Sequence, residues 1–491
     1  MPRRLIMAGA ALLGVSAALP AYADSYNVEF VKSRHPDNKG QYRVAKVAAE
    51  ITPSSDGVVG LFRNNDDVGL PNGWSTFLYR PTAKTADGKS LPLVQLPGGR
   101  MHVEGWVAGP IAIEYSVLLQ HDRFPSDPGQ DELAYARDFG VMWTGRALLM
   151  EGAPAANIDI RFVTPKEWAI TTPWRTDPSD PRHFTASTTN DLLDSAIMAG
   201  TQEQFVEPIG TAEARIGVDP ALHDKVAGLK KTLKESIGVY RTIFGDAPRD
   251  NVAILLSGAT YTGGGVMGRS ISFVIGPDYP DPKDFHHVLS HELFHLWTGH
   301  WNRTGFETET EWLVEGSAEY YSYLSGLRAG RVSETDFITE IADRHAKYIS
   351  ALQTTSIGDA GKTKLQSNES SEAVYSGGLM TLFTIDALIR KHSRNRHSLD
   401  DAIRTLNAQS KIRPMSVASL GEILSSYGMP RNFLEQYITH AQPLPVAEAL
   451  AFYGLEFKSP ATAKDHATLG FGNRNAAQRK AWLSYTIQRG V

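Results

Sequence analysis

The residues best suited to chemistry in this sequence are two histidines four positions apart, in the segment His291-Glu-Leu-Phe-His295. On a helix, residues four apart lie on one face, one turn from each other, so both imidazoles can reach a single cation. Glu292 would lie about 100° around the helix from His291. A carboxylate placed beside the cation can take a proton from water. The spacing predicts a metal site with Glu292 as its general base.

A tetrahedral zinc site needs a third protein ligand, and Glu315 in the segment Trp312-Leu-Val-Glu315-Gly offers one. We expect Glu315 on a helix from about Thr308 to Leu327, returned antiparallel by a turn from Gly299 to Gly305. Glu319 lies one helical turn further and could accept the free N–H of a ligating histidine, or it could face solvent. An HExxH segment also arises by chance, but the Glu-Gly downstream favours a site for one Zn2+ per chain.

Composition limits the kind of site and partner. The chain has 491 residues, a net charge of −5 and no cysteine. Disulfides, thiolate metal ligands and a cysteine nucleophile are therefore excluded, and a metal must be held by histidine and carboxylate. Because both signs of charge are mixed along the chain, nucleic acid and anionic membranes are not expected as partners.

The first 23 residues have the pattern of a secretory signal peptide. Arg3 and Arg4 precede an apolar run from Leu5 to Leu19, and Ala21-Tyr-Ala23 is a small-residue cleavage site. We expect cleavage before Asp24; an uncleaved membrane anchor is the alternative. No later stretch is predicted to span a bilayer, so the mature protein is expected in the periplasm or outside the cell, without stable membrane insertion.

Hydrophobic periodicity predicts an α+β multidomain chain with an N-terminal all-β domain. After the signal peptide (1–23), the predicted divisions are a β domain (24–165), a connecting segment (166–218), a zinc-binding catalytic domain (219–353), a helical lobe (354–457) and a short tail (458–491). Further helices are predicted near 332–352, 374–392, 399–408, 416–426, 430–440 and 445–453.

Two other segments could contact a substrate. The glycine-rich run that includes Gly264 and Gly265 favours a strand at the lip of a cleft, where a peptide can pair with the main chain. Tyr375, at the start of an apolar helix, is a candidate donor to a developing oxyanion. Spacing alone favours an ordinary buried tyrosine.

Taken together, HELFH, WLVEGSAEYY and VYSGGLMTLFTIDALIRKHSRNRHSLDDAIRTL resemble the glycyl-aminopeptidase family of zinc metallopeptidases, within the gluzincins. The segments Pro165–Trp168 and Asn190–Gly200 also resemble the family, so the resemblance covers about residues 100 to 457. It implies a thermolysin-like catalytic domain with a mainly helical C-terminal lobe. It also implies peptide or protein substrates and the following roles: zinc ligands His291, His295 and Glu315, general base Glu292, and oxyanion donor Tyr375.

The sequence departs from that family in two places. Met267 stands where the family carries a glutamate that binds the substrate's free amine, which removes a counter-charge from an aminopeptidase site. The residues after Lys458 are too few for the PDZ domain that many members carry. The sequence therefore predicts an exported, aminopeptidase-like zinc metallopeptidase; the alternative is a zinc-retaining, non-catalytic peptide-binding or scaffold protein.

Overall fold

The computed structural model describes residues 24–33, 40–62, 72–120, 134–259, 263–276, 282–299, 308–364, 366–458 and 468–487. The chain is a mixed α+β molecule, with a β-rich region up to Val218 and a mainly helical region after it. The predicted fold class is thereby confirmed. The predicted signal peptide and most of the predicted turn from Gly299 to Gly305 lie outside the described residues.

Short strands separated by turns make up the N-terminal region. The strands are β1 (Ser25–Lys32), β2 (Tyr42–Ile51), β3 (Val58–Val59), β4 (Leu78–Lys84), β5 (Ser90–Leu91), β6 (Leu93–Gln95), β7 (Met101–Val103), β8 (Ile111–Leu118), β9 (Tyr135–Arg137), β10 (Gly140–Thr144), β11 (Ala156–Val163), β12 (Ala169–Thr171), β13 (Arg175–Asp177), β14 (Asp180–Thr188) and β15 (Ala196–Gly200). Short helices α1 (Gly145–Leu148) and α2 (Thr189–Leu193) and a 3-10 helix (Gly73–Phe77) interrupt them.

Three sheets are formed by these strands. An eight-stranded sheet has the order β13-β14-β11-β1-β2-β8-β4-β5, a four-stranded sheet β12-β15-β10-β9, and a three-stranded sheet β3-β7-β6. Along β8, residues alternate between buried and exposed, as expected for a sheet with one face on the core. Trp143 of β10 contacts Phe30 of β1 and Phe162 of β11, with ring centroids 5.1 and 5.6 Å apart. The eight- and four-stranded sheets therefore share one aromatic core.

The segment 166–218, predicted as a connection, is built into the sheets. β13 and β14 extend the eight-stranded sheet, because β14 pairs antiparallel with β11. These strands are hard to predict from the sequence, because turn-forming residues surround Asp177 and Asp180. The first strand of the hairpin, β13, is also only three residues long. The predicted division of the chain into domains stays a prediction.

A further sheet, with five strands, leads to the candidate site. Its strands β16 (Glu203–Ile209), β17 (Ala212–Val218), β18 (Val252–Gly258), β19 (Gly263–Met267) and β20 (Ser270–Ile275) have the order β16-β17-β18-β20-β19. β17, β18 and β20 are parallel, and the two edge strands, β16 and β19, are antiparallel to their neighbours. A 3-10 turn (Pro220–Lys225) and helix α3 (Val226–Phe244) connect β17 to β18, and helices α4 (Pro282–Thr298) and α5 (Glu311–Arg328) follow β20.

The C-terminal part is almost entirely helical. It comprises α6 (Glu334–Ala351), α7 (Ile357–Gly361), α8 (Asn368–Ser393), α9 (Leu399–Ser410), α10 (Val417–Ser426), α11 (Val446–Tyr453) and α12 (Ala476–Thr486), with a hairpin of β21 (Leu455–Lys458) and β22 (Thr468–Phe471). The helix predicted near 430–440 is only a π-helical turn, Glu435–Thr439. The predicted tail contributes core residues, because Trp482 and Tyr485 of α12 are buried.

Helix α8 is long and apolar enough to cross a membrane, contrary to the prediction that no later stretch could. However, 89% of its most apolar 18-residue stretch is buried within the protein, so α8 is a central core helix here. It packs closely on α5 because glycines face each other: a Cβ on Gly316 would lie 2.5 Å from the Cα of Gly378. This close approach fixes the helix that carries Tyr375 against the helix that carries Glu315.

Candidate metal centre and active site

Helix α4 presents its two histidines from one face while its other face is held in the core. Phe285, Leu289 and Leu293 are buried on the core side. His291 and His295 are themselves only 6% and 4% exposed, and their Nε2 atoms lie 3.2 Å apart. Two buried imidazole nitrogens this close need a shared proton or a shared cation between them.

Glu315 on α5 completes a three-ligand set. Its Oε2 lies 3.2 Å from Nε2 of His291 and 3.5 Å from Nε2 of His295. Ligands bound tetrahedrally to zinc at ordinary bond lengths are separated by about 3.3 Å. Nitrogen and carboxylate donors suit zinc, so these three residues fit the predicted ion in both spacing and chemistry.

The protonation states of the set follow from its contacts. Burial alone would raise the pKa of Glu315, but Lys364 and the two imidazoles hold it well below its usual range. Burial alone would lower the pKa of His291, yet hydrogen bonds to Glu315 and Glu319 raise it to about 10. Without a cation, the carboxylate is therefore ionised and the His291 imidazole carries a proton that a metal must displace.

Glu292 and Tyr375 lie close enough to this set to act on it electrostatically. Glu292 is half-buried on α4, next in sequence to His291, and its charge contributes to the raised pKa of His291. The Tyr375 ring on α8 lies 6.2 Å from the His291 ring. Burial and the charges of Glu315 and Glu292 raise the pKa of Tyr375 well above its usual value, so its phenol stays protonated and can donate.

A second layer of contacts surrounds Glu319, one turn after Glu315. Its Oε1 lies 3.2 Å from Nδ1 of His291, while its Oε2 lies 3.2 Å from His287 and 3.0 Å from Arg344. His287, His291 and Glu319 have metal-binding spacing as well. Because the Arg344 guanidinium already balances the carboxylate charge, we assign this group to orienting His291 rather than to a second cation.

Three residues of this centre were not identified from the sequence. His287 lies one helical turn before His291, a spacing that could have been noticed on the helix. Arg344 on α6 and Lys364, between α7 and α8, carry no signal in their spacing, because they approach through tertiary packing. The ammonium of Lys364 donates a hydrogen bond of 2.7 Å to Oε1 of Glu315.

The predicted substrate strand, β19, is an edge strand of the five-stranded sheet. In β19, Gly264 is exposed and Gly265 is half-buried, which leaves an edge where another strand can pair. Met267 is only 6% exposed, at the end of the strand where the chain turns to Arg269. A substrate contact by Met267 stays a prediction.

Comparison with protein-family models gives one match, the Peptidase M61 N-terminal domain, over residues 70–201. A search of curated protein sequences found no match.

Among solved structures, the chain resembles an aminopeptidase N family protein from Idiomarina loihiensis, at 16% identity and a TM-score of 0.72, with 92% of this chain and 81% of that chain covered. It also resembles an M1 zinc metallopeptidase from Deinococcus radiodurans, at 13% identity and a TM-score of 0.51, with 87% and 95% covered. At these identities the structural likeness shows the fold alone. The family match and the shared fold, together with the histidine and glutamate set described above, support a zinc metallopeptidase.

Proposed function

We propose that this protein is an exported, zinc-dependent metallopeptidase that hydrolyses peptide bonds. One observation carries the proposal: the Nε2 atoms of His291 and His295 and Oε2 of Glu315 lie 3.2 to 3.5 Å from one another. These are the separations of a tetrahedral zinc site, and Glu292 lies beside it on the same helix.

Each residue around the site has its own role in the proposed reaction. A bound zinc ion would supply the Lewis acidity that activates water and polarises the peptide carbonyl. Glu292 takes the proton from the attacking water and passes it to the leaving amine. Tyr375 donates a hydrogen bond to the oxyanion that develops on the carbonyl oxygen. Strand β19 pairs with the peptide main chain, where Gly264 and Gly265 present no side chains to obstruct it.

The test is cleavage of an undirected peptide library by the purified protein, with and without a chelator. Glu292→Gln keeps the size of the side chain but removes the base, so we expect zinc to stay bound and the rate to fall about 10²- to 10⁴-fold. Glu369→Gln, on the exposed first turn of α8, is the matched control and should cleave normally. A Glu292→Gln variant that cleaves at the unaltered rate contradicts the proposal.

The positions of the cuts decide whether the peptidase is aminopeptidase-like. Met267, in place of the glutamate that the resembled family uses for the substrate amine, favours one alternative function: a zinc-retaining protein that binds peptides without cleaving them. Zinc-loaded protein that cleaves nothing in the library would support that alternative.

A further inference from the structure

The two carboxylate oxygens of Glu315 have different partners. Oε2 faces the imidazoles of His291 and His295, as described above. Oε1 accepts a hydrogen bond from the ammonium of Lys364 at 2.7 Å, and this side chain is only 13% exposed. A charge-assisted bond of this length in a buried place is a strong contact. It takes up the oxygen that Glu315 would need to bind a metal through both oxygens.

Lys364 is held in this position from three sides. On the α5 side, its ammonium lies 3.8 Å from the carboxylate of Glu311. On the α8 side, it lies 5.0 Å from the centre of the Tyr375 ring. The preceding backbone packs closely against the residues just before α5, because a Cβ on Gly361 would lie 2.2 Å from the carbonyl oxygen of Thr308. The Lys364 ammonium is thus packed between side chains of both helices of the site, α5 and α8.

We infer that Lys364 is a positioning residue that makes Glu315 a one-oxygen ligand. With Oε1 held by the ammonium, Glu315 offers only Oε2 to the cation. Three protein donor atoms then leave one tetrahedral position open for water or substrate, as a catalytic zinc site requires. The positive charge of Lys364 also withdraws electron density from Glu315, which keeps the cation more electrophilic. This inference rests on the proposed zinc site.

Loss of Lys364 should change metal affinity in the opposite direction to loss of a residue that merely supports the fold. Loss of a supporting residue loosens the site and weakens metal binding. Loss of Lys364 removes a positive charge beside the cation and releases Oε1, so the metal gains a ligand atom. Because the repulsion between the ammonium and the cation is removed, we expect Lys364→Met to bind zinc about tenfold more tightly and to turn over about tenfold more slowly.

The direct readout is the absorption spectrum of the Co2+-substituted protein. Four-coordinate Co2+ absorbs visible light much more intensely than five- or six-coordinate Co2+. We expect an intense spectrum from the unaltered protein and a several-fold weaker one from Lys364→Met. Lys364→Arg, which keeps a charged donor, should restore the intensity. Lys362→Met is the matched control, since Lys362 pairs with Asp359 on the surface and is 56% exposed.

An unchanged Co2+ spectrum in Lys364→Met overturns the inference, as does weaker zinc binding. Should that variant fail to fold, a crystal structure of the zinc-loaded, unaltered protein decides: both oxygens of Glu315 within bonding distance of zinc contradict the inference, and one oxygen supports it. If the unaltered protein binds neither Zn2+ nor Co2+, the proposed function itself fails.

Discussion

At the residue scale, the site depends on charge balance among buried groups. Glu315 and Glu319 are both buried carboxylates whose pKa values lie well below the usual range, because cations surround them despite burial. Lys364 faces Glu315 and Arg344 faces Glu319. Each cation contacts one oxygen of its carboxylate, and the other oxygen faces His291. The oxygen of Glu315 completes the metal site, and the oxygen of Glu319 orients the His291 ring.

Zinc affinity should rise with pH. In the metal-free protein the pKa of His291 is about 10, so its imidazole is protonated below that pH and must lose a proton when the metal binds. Each unit of pH increase below that value should strengthen zinc binding about tenfold. Chelator competition at several pH values measures this dependence. Affinity that stays flat between about pH 6 and 8 would contradict the protonated state of His291.

Spacing predicted the residues that lie on a regular helix. The four-residue interval between His291 and His295 determines their common face, and the position of Glu292 follows from the same geometry. Lys364 and Arg344 could not be predicted in this way. Their place depends on how α6 and the segment before α8 pack on α5, and no local pattern records that packing.

At the element scale, the approach of α8 to α5 decides whether Tyr375 reaches the site. The contact depends on small residues, because Gly378 lies so close to α5 that a Cβ there would collide with the carbonyl oxygen of Trp312. An ordinary helix pair keeps its axes further apart. The glycines in the segments EGS and YSGG thus permit this close packing.

Gly378→Ala should therefore push the two helices apart. We expect a loss of about 1–3 kcal/mol in the free energy of unfolding, from overpacking, together with lower activity as Tyr375 moves. The control is Gly238→Ala, an exposed position in α3 with nothing within 4 Å of the new Cβ. That change should stabilise the protein by about 0.5–1 kcal/mol. Thermal unfolding measures both effects, and equal behaviour of the two variants would contradict this packing.

The sequence predicted long, strongly periodic elements well and irregular ones poorly. The helix predicted from about Thr308 to Leu327 is α5, and its observed bounds, Glu311–Arg328, lie within three residues of the predicted ones. Helix α8 begins at Asn368, earlier than predicted, because Ser367 caps it by accepting the N–H of Ser370. Because that first turn is polar and lacks hydrophobic periodicity, the sequence did not indicate that it is helical.

At the scale of the whole molecule, the β-rich and helical regions have different roles. The β-rich region builds its core from alternating strands, and the helical region surrounds the metal centre. The buried aromatic residues Trp482 and Tyr485 bind the last helix to the same core as α8. Periodicity was enough to predict this α+β architecture. It could not predict the role of the C-terminal segment, because two buried aromatics in a short amphipathic stretch are a weak signal.

Export predicts a defined mature N-terminus at Asp24. Asp24 is 4% exposed, its carboxylate accepts the N–H of Thr52 at 3.2 Å, and β1 begins at the next residue. Intact-mass measurement on protein from the periplasm or culture medium should therefore show loss of residues 1–23. Protein that keeps Met1 and stays in the cytosol would contradict export.

The central claim is that His291, His295 and Glu315 hold one zinc ion. Elemental analysis of the purified protein, prepared without chelators, tests it most directly. We predict one zinc per chain in the unaltered protein and little zinc in His295→Ala, whose fold is checked by circular dichroism. A folded, unaltered protein with no bound transition metal would contradict the account.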